Sequence, residues 1–462
     1  MSDLTATLIP SLPHSNSTLP LSTTRVPIAP ISCWSTGQIP TVLTFPEELD
    51  LERLRSAIGL LTSVWPTLAG RFERSPKKDE EWSYDYSFNL TTSSIPLSTQ
   101  TITIPSHQTF PFANRQIIQP SVNPFVPPLG EGAHVANSDA HLFAIRLTTI
   151  LPSRSSVLGI VISHIIGDGH IALQIVKHLE GLYLYGEAAL PIITKPTFVD
   201  HVILPPYDPA WDLPDDTLKG HDLADVGKAY VDAAENSEMV VIELTRAEIA
   251  NLKAKYGRES GVRLSDQDVL SGWWVGLLER MGEKINTMIY VYNYRHFCIS
   301  HPSFPSTLPT MAANVAQMRF ISLPAHETTS LLPSSTAKLI RETIEKLRSD
   351  PDITLPWLSN AAFHIGKACD EGKGQIMVPK EGKVVINSNI RMDWHTSFGF
   401  PPHQSTFHTT FSTIRFLRVF QANPCEGEER GERVEVVFSV PKGGANEAVE
   451  RLVDADRRAW NV

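Results

Sequence analysis

The sequence predicts an α/β (α+β) chain folded as two domains, and three observations lead there. At 462 residues the chain exceeds the roughly 250 to 300 residues at which a single core stops growing. Strand-like and helix-like apolar periodicities mix throughout. Prolines at 191, 196, 205, 206, 209 and 214 make residues 191–222 a long irregular connection of the kind that crosses between domains. The expected division is 1–190, a crossover linker at 191–222, and 223–462.

The elements follow in order. Leu51, Leu54, Ile58 and Leu61 recur at helical spacing behind Asp50, a ready N-cap, and Pro66 follows the end, so a helix is expected from 51 to 65. Residues 73–140 carry charged, Ser/Thr-rich and Pro-containing stretches such as 76–81, with short strand-like pieces such as Thr101 to Ile104, and read as surface strands and loops. Phe143, Ile145 and Leu147 alternate, and Val157 to Ile162 form a β-branched run, which predicts two adjacent strands ending at Ser163-His164. Ile171, Ile175, Leu179 and Leu182 then give a helix stopping at Gly186.

The second half opens with a strand at Val240 to Leu244, followed by Thr245-Arg246-Ala247-Glu248, a capping box ahead of a helix ending near Gly257. Ser265 begins another helix, with Leu270, Trp273, Trp274 and Leu277 as its apolar face. Helical Ser334 to Leu347, strand-like Val434 to Val440 and helical Asn446 to Val453 complete the pattern.

Composition excludes several classes. Hydrophobic residues at 42% and charged residues at 19% are ordinary globular usage. A net charge of -10 without a Lys/Arg run removes the electrostatic drive for nucleic-acid binding. Cys33, Cys298, Cys369 and Cys425 lie far apart with no metal-ligand spacing, so a reduced, cytoplasmic protein without a metal centre is expected. Met1 to Pro20 lacks a basic region and apolar core of a signal peptide, and no 18-residue apolar run suggests a membrane span.

The chemistry is expected at His164-Ile165-Ile166-Gly167-Asp168-Gly169. A neutral imidazole takes a proton from a hydroxyl or amine near neutral pH, and a nearby carboxylate can fix its tautomer. Two fixed positions in a five-residue pattern mean little in a chain with 16 histidines; the setting adds weight, because the motif follows an apolar strand, turns at Gly-Asp-Gly and precedes an amphipathic helix.

With these residues in view, the sequence resembles the BAHD superfamily of acyl-CoA-dependent acyltransferases, as a divergent member. Beside the HxxxDG signature, Trp65-Pro66-Thr67-Leu68-Ala69-Gly70-Arg71 resembles the family's aromatic-Pro-x-Leu-Ala-Gly-Arg segment. Asn293-Tyr294-Arg295 and Ala313-Asn314 resemble its Asn-x-Arg and Gly-Asn pair. Ser397-Phe398-Gly399-Phe400-Pro401 stands where the family has Asp-Phe-Gly-Trp-Gly. The segments are thin but in the right order.

The resemblance implies two similar chloramphenicol-acetyltransferase-like domains of mixed sheet plus helices, with a strand from about 374–400 contributed to the first. Acyl-CoA, as co-substrate and with no bound cofactor, and a small-molecule acceptor, expected to be a secondary metabolite, meet in a tunnel at His164, the general base. Asp168 holds the loop and Gly169 permits its turn. Asn387, Ser388 and Asn389 are candidate oxyanion donors, and Lys253, Lys255 and Arg258 candidate ligands of the CoA phosphates. The chain is expected to work as a monomer.

One departure matters: the family's late Asp pairs with an arginine, taken to be Arg295, and Ser397 cannot supply that charge. Arg295 is therefore expected to be exposed or compensated by another acid, Asp393. The altered motif also keeps open a catalytically altered binding protein of the same fold. A condensation-domain-like enzyme is a further alternative, although its usual double histidine is here Ser163-His164. A serine hydrolase is disfavoured by the absence of a Gly-x-Ser-x-Gly elbow.

Overall fold

The computed structural model describes residues 4–12, 17–34, 37–76, 84–90, 94–104, 115–130, 135–198, 202–210, 216–296, 301–324, 332–410, 413–443 and 445–460, and the statements below concern these. Most of the charged stretch at 76–81 and Cys298 lie outside them.

The first half runs β1 (Thr5–Pro10), β2 (Arg25–Ile28), β3 (Gln38–Phe45), α1 (Leu51–Val64), β4 (Arg71–Pro76), β5 (Tyr84–Asn89), β6 (Ser94–Thr103), β7 (Phe143–Leu151), β8 (Ser155–Ser163) and α2 (Gly169–Tyr185). The Asp50 carboxylate caps α1 by accepting the Arg53 N–H at 3.0 Å. Strand β8 is buried along its whole length, which is why it reads as an unbroken apolar run. Helix α2 ends at Gly186, whose φ of +59° suits glycine.

The second half runs α3 (Leu223–Glu235), β9 (Ser237–Thr245), α4 (Arg246–Ser260), α5 (Asp266–Arg280), β10 (Thr287–Asn293), β11 (Ala316–Ser322), α6 (Pro333–Ser349), α7 (Pro351–Asp370), β12 (Lys383–Ser388), β13 (Thr406–His408), β14 (Phe416–Gln421), β15 (Arg433–Pro441) and α8 (Ala445–Trp460). The Thr245 capping box forms, but α4 continues past Gly257 and stops at Gly261, φ +71°. Helix α5 has no exposed face through its middle: Gln267 to Leu278 are all buried. Glycine explains the close packing, since a Cβ on Gly272 would stand 2.4 Å from the Pro333 carbonyl of α6.

Among the described residues the strands form two six-stranded mixed sheets, ordered β1-β6-β7-β8-β3-β13 and β11-β10-β12-β14-β15-β9, and a small sheet β2-β5-β4. The fold is the expected two-sheet α/β architecture. The strand expected to cross from about 374–400 does not do so. Instead β12 lies between β10 and β14 in the second sheet, where Val384, Val385 and Ile386 are buried. The strand that crosses is β13, pairing Thr406, Phe407 and His408 with Thr44, Leu43 and Val42. Three residues are too short a run to show a strand period.

The 73–140 region is more than surface. Tyr86 and Phe88 are buried, and α7 lies against this small sheet: the Tyr86 hydroxyl donates to the Gly366 carbonyl at 3.2 Å, and Arg74 donates to the Cys369 and Asp370 carbonyls, both at 3.2 Å. The linker is pinned at Thr197, which exchanges backbone bonds with Thr310 and Ala312 at 2.9 and 2.8 Å. No described helix is long and apolar enough to cross a membrane.

Candidate active site

The loop after β8 is built by backbone bonds. The Ser163 N–H donates to Leu142 O at 2.8 Å, His164 N–H to Gly37 O at 3.2 Å, and Ile166 N–H closes a turn on Ser163 O at 3.0 Å. The glycine this turn requires is Gly167, where a Cβ would come 2.7 Å from Ile171. Gly169, expected to permit the turn, lies outside the positive-φ region. A Cβ there would meet Trp394 and Asn389 at 3.7 and 3.8 Å, ordinary contacts.

His164 keeps part of its surface accessible. Its Nδ1 lies 3.5 Å from Asn314 Oδ1, while Asn314 Nδ2 donates to the His164 carbonyl at 2.6 Å and to the Ser32 carbonyl at 3.5 Å. Two carbonyls on the amide nitrogen fix the Asn314 orientation, so its oxygen faces a protonated Nδ1 and leaves Nε2 a free base. Gly37 packs on the ring: its φ is +116° and a Cβ would stand 3.2 Å from His164 Cδ2. Burial pulls the His164 pKa below its ordinary value, more than Asn314 and the Asp168 charge raise it, and the Arg418 charge adds to the lowering. The imidazole is therefore neutral near pH 7.

Asp168 turns its carboxylate elsewhere. Its Oδ1 caps α2 by accepting the His170 and Ile171 N–H groups at 3.1 and 3.2 Å. Its Oδ2 accepts Arg295 Nη1 at 2.7 Å and the Val315 N–H at 2.9 Å. Burial alone would raise this carboxyl's pKa, but the Arg295 charge and these hydrogen bonds hold it below the usual range. Arg295, fully buried, also donates to Ala313 O at 2.7 Å. It is thus neither exposed nor compensated by Asp393, which pairs with Arg430 at 2.9 Å and Lys177 at 3.6 Å. A fully buried guanidinium takes the acid that the HxxxD spacing already holds in the interior.

The late motif sits at the other end of α2. The Glu180 carboxylate accepts the Ser397 and Phe398 N–H groups at 2.6 and 2.9 Å and the Ser397 hydroxyl at 3.3 Å. Phe398 adopts φ +50° and Gly399 +96°. The Phe398 ring packs on Phe45 and Tyr183 at 5.2 and 5.3 Å, and the Phe400 ring on Phe45 at 5.7 Å. Glu180 thus serves the late motif's own backbone rather than Arg295, and a helix rising about 1.5 Å per residue puts it roughly 18 Å along α2 from Asp168. Glu180→Ala leaves two N–H groups without their acceptor and is expected to destabilise the protein by about 1–3 kcal/mol in chemical denaturation. Unchanged stability would remove Glu180 from this role. The Trp65 segment is likewise packing: Trp65 Nε1 donates to His178 Nδ1 at 2.8 Å, and Arg71 pairs with Asp139 at 2.9 Å.

Of the oxyanion candidates, Asn387 on β12 and Asn389 just past its end share a face by alternation, while Ser388 is on the other and accepts the Ile390 N–H at 3.2 Å. Asn389 Oδ1 accepts Trp394 Nε1 at 3.4 Å, beside Gly169. On α4, Lys253 pairs with Asp266 at 2.9 Å. Lys255 is half-buried, Arg258 is exposed, and no described contact joins the three to the His164 loop. Sequence reading missed Gly37, Ser32, Glu180 and Arg418; the Asn314 motif was visible, its hold on His164 was not. No described cluster of His, Cys, Asp or Glu is arranged to hold a metal ion.

No protein-family model and no curated protein sequence matches the chain. Solved structures do. Vinorine synthase is 16% identical, with 97% of this chain and 96% of that chain covered and a TM-score of 0.62. F. graminearum TRI101 complexed with coenzyme A and T-2 mycotoxin is 12% identical, covering 94% and 97%, with a TM-score of 0.65. The X-domain from teicoplanin biosynthesis is 11% identical, covering 97% of each chain, at 0.55. The likeness is one of fold and runs almost end to end: this chain shares the mixed-sheet α/β fold of these structures.

Proposed function

We propose that a chain with this fold transfers an acyl group from acyl-CoA to a hydroxyl or amine of a small-molecule acceptor, with His164 as general base. The observation that carries the reading is the neutral imidazole at the end of β8, held at Nδ1 by Asn314, while the Asp168 carboxylate is directed into α2 and Arg295. Similar structures support the ligand classes, since TRI101 was crystallised with coenzyme A together with T-2 mycotoxin or deoxynivalenol.

In this reading His164 Nε2 takes the acceptor proton as the oxygen or nitrogen attacks the thioester carbonyl. The tetrahedral oxyanion collapses, the carbon–sulfur bond breaks, and the imidazolium returns the proton to the CoA thiolate. Asn387 and Asn389 are the oxyanion donors best placed by strand alternation. Lys255 and Arg258 are the α4 cations proposed for the CoA phosphates, with Lys253 held by Asp266. Asp168 acts through the loop. The departure at Ser397 lies at the far end of α2, where Glu180 accepts its N–H, and this supports the catalytic reading over the altered one.

The test is CoA-thiol release with a panel of acyl-CoA donors and hydroxyl or amine acceptors, followed by a pH profile. A base must be unprotonated, so kcat/KM falls as pH drops through the His164 pKa. Because that pKa is depressed, the acid limb is expected below about pH 6.5. A limb centred above that value, or one unaffected by removing the imidazole, counts against His164.

A further inference from the structure

The buried ion pair beside the loop grips the chain on both sides of Asn314. Asp168 Oδ2, bonded to Arg295 Nη1 at 2.7 Å, accepts the Val315 N–H at 2.9 Å. Arg295 Nη2 donates to the carbonyls of Ala313 at 2.7 Å and Met311 at 3.4 Å. The Tyr294 N–H donates to Val315 O at 3.1 Å, and Ser32 Oγ accepts the Asn314 N–H at 3.3 Å. Residues 313–315 lie just ahead of β11 and outside its ladder, so these bonds decide where the Asn314 side chain stands.

Asn314 is buried. Its amide nitrogen is occupied by the His164 and Ser32 carbonyls. Among the described residues, the partner of its Oδ1 is His164 Nδ1, at 3.5 Å. A buried acceptor left unpaired costs free energy, so the Nε2–H tautomer, which turns a lone pair toward Oδ1, is disfavoured and the Nδ1–H tautomer is selected. The contact is long, as catalytic hydrogen bonds often are before substrate binds. An amide, unlike a carboxylate, selects the tautomer without setting a charge against the imidazole, so burial still holds the His164 pKa below its ordinary value. We infer that Asn314 is the positioning residue that sets the tautomer of His164, and that the Asp168–Arg295 pair acts on catalysis through it, by clamping residues 313–315. The acid of the HxxxD spacing thus reaches the base through a segment 147 residues further along the chain.

The inference rests on the acyl-transfer reading for its kinetic consequence, and a spectroscopic arm keeps the two apart. Nitrogen chemical shifts of protein carrying isotope-labelled histidine, with His164 assigned by the signals lost in His164→Ala, report the tautomer directly. Wild type is expected to show a protonated Nδ1 and a bare Nε2. Asn314→Ala moves toward the Nε2–H form, while Asn314→Asp keeps an acceptor and the wild-type pattern. In transfer assays Asn314→Ala is expected to lower kcat at least about tenfold with KM within threefold, since a protonated Nε2 cannot take the acceptor proton. Loss of a hydrogen bond that raises the His164 pKa moves the acid limb to lower pH, and a carboxylate at 314 moves it to higher pH. A purely structural role gives both variants the same loss and an unmoved limb. The double variant Asp168→Asn/Arg295→Met leaves no lone buried charge, so it tests the clamp apart from stability. Its kcat is expected to fall as far as that of Asn314→Ala, and adding Asn314→Ala to it costs less than threefold more. An unchanged tautomer in Asn314→Ala overturns the role of Asn314. Near wild-type kcat in the folded double variant, or losses that multiply in full, overturn the clamp. The expected tautomers without CoA release from any donor and acceptor overturn acyl transfer and leave the positioning standing.

Discussion

His164→Ala is expected to lower kcat by about 10² to 10⁴-fold, the usual contribution of a general base, with the fold intact. The imidazole is tied to the protein by one long contact to Asn314 Oδ1 and by the Gly37 surface. The bond that holds the loop, Asn314 Nδ2 to the residue-164 carbonyl, is to backbone and survives truncation. The comparison is single-turnover transfer beside circular dichroism and melting temperature. A variant that folds normally and turns over near the wild-type rate takes proton abstraction away from His164.

Asp168→Asn should cost roughly 3–5 kcal/mol in chemical denaturation, because it strands a fully buried guanidinium. Asparagine can still accept the His170 and Ile171 N–H groups, so the loss reports the ion pair rather than the helix cap. Arg295→Met is expected to cost a similar amount, and the double variant should recover much of it, since no lone charge then remains inside. Additive losses would mean that the two groups do not act as a pair. Because the folded-state pKa of Asp168 is depressed, its contribution is complete above the ordinary carboxylate range and fades as pH falls through the lower folded value. At neutral pH it is fully present.

The candidate site was half legible. The apolar run of β8, the N-cap at Asp168 and the helix behind it are near-neighbour effects, so the strand-loop-helix setting of His164 could be read directly. The partner of Arg295 was assigned wrongly because Asp168 had been read through its closeness to His164, although a helix N-cap has a second oxygen to offer elsewhere. Helix α7 carries Pro351 and Pro356, which break up the helical signal, although both fall in its first two turns, where proline is tolerated best.

The sequence by itself determined the local elements, the caps and the position of the histidine, because propensity and periodicity act over a few residues. Tertiary structure decided which groups meet. Asp168 and Arg295 are 127 residues apart, His164 and Asn314 150, and Glu180 and Ser397 217. No spacing rule reaches that far. Only the two sheets, joined by β13 and facing each other across the loop, bring a guanidinium to Asp168 and an amide to His164.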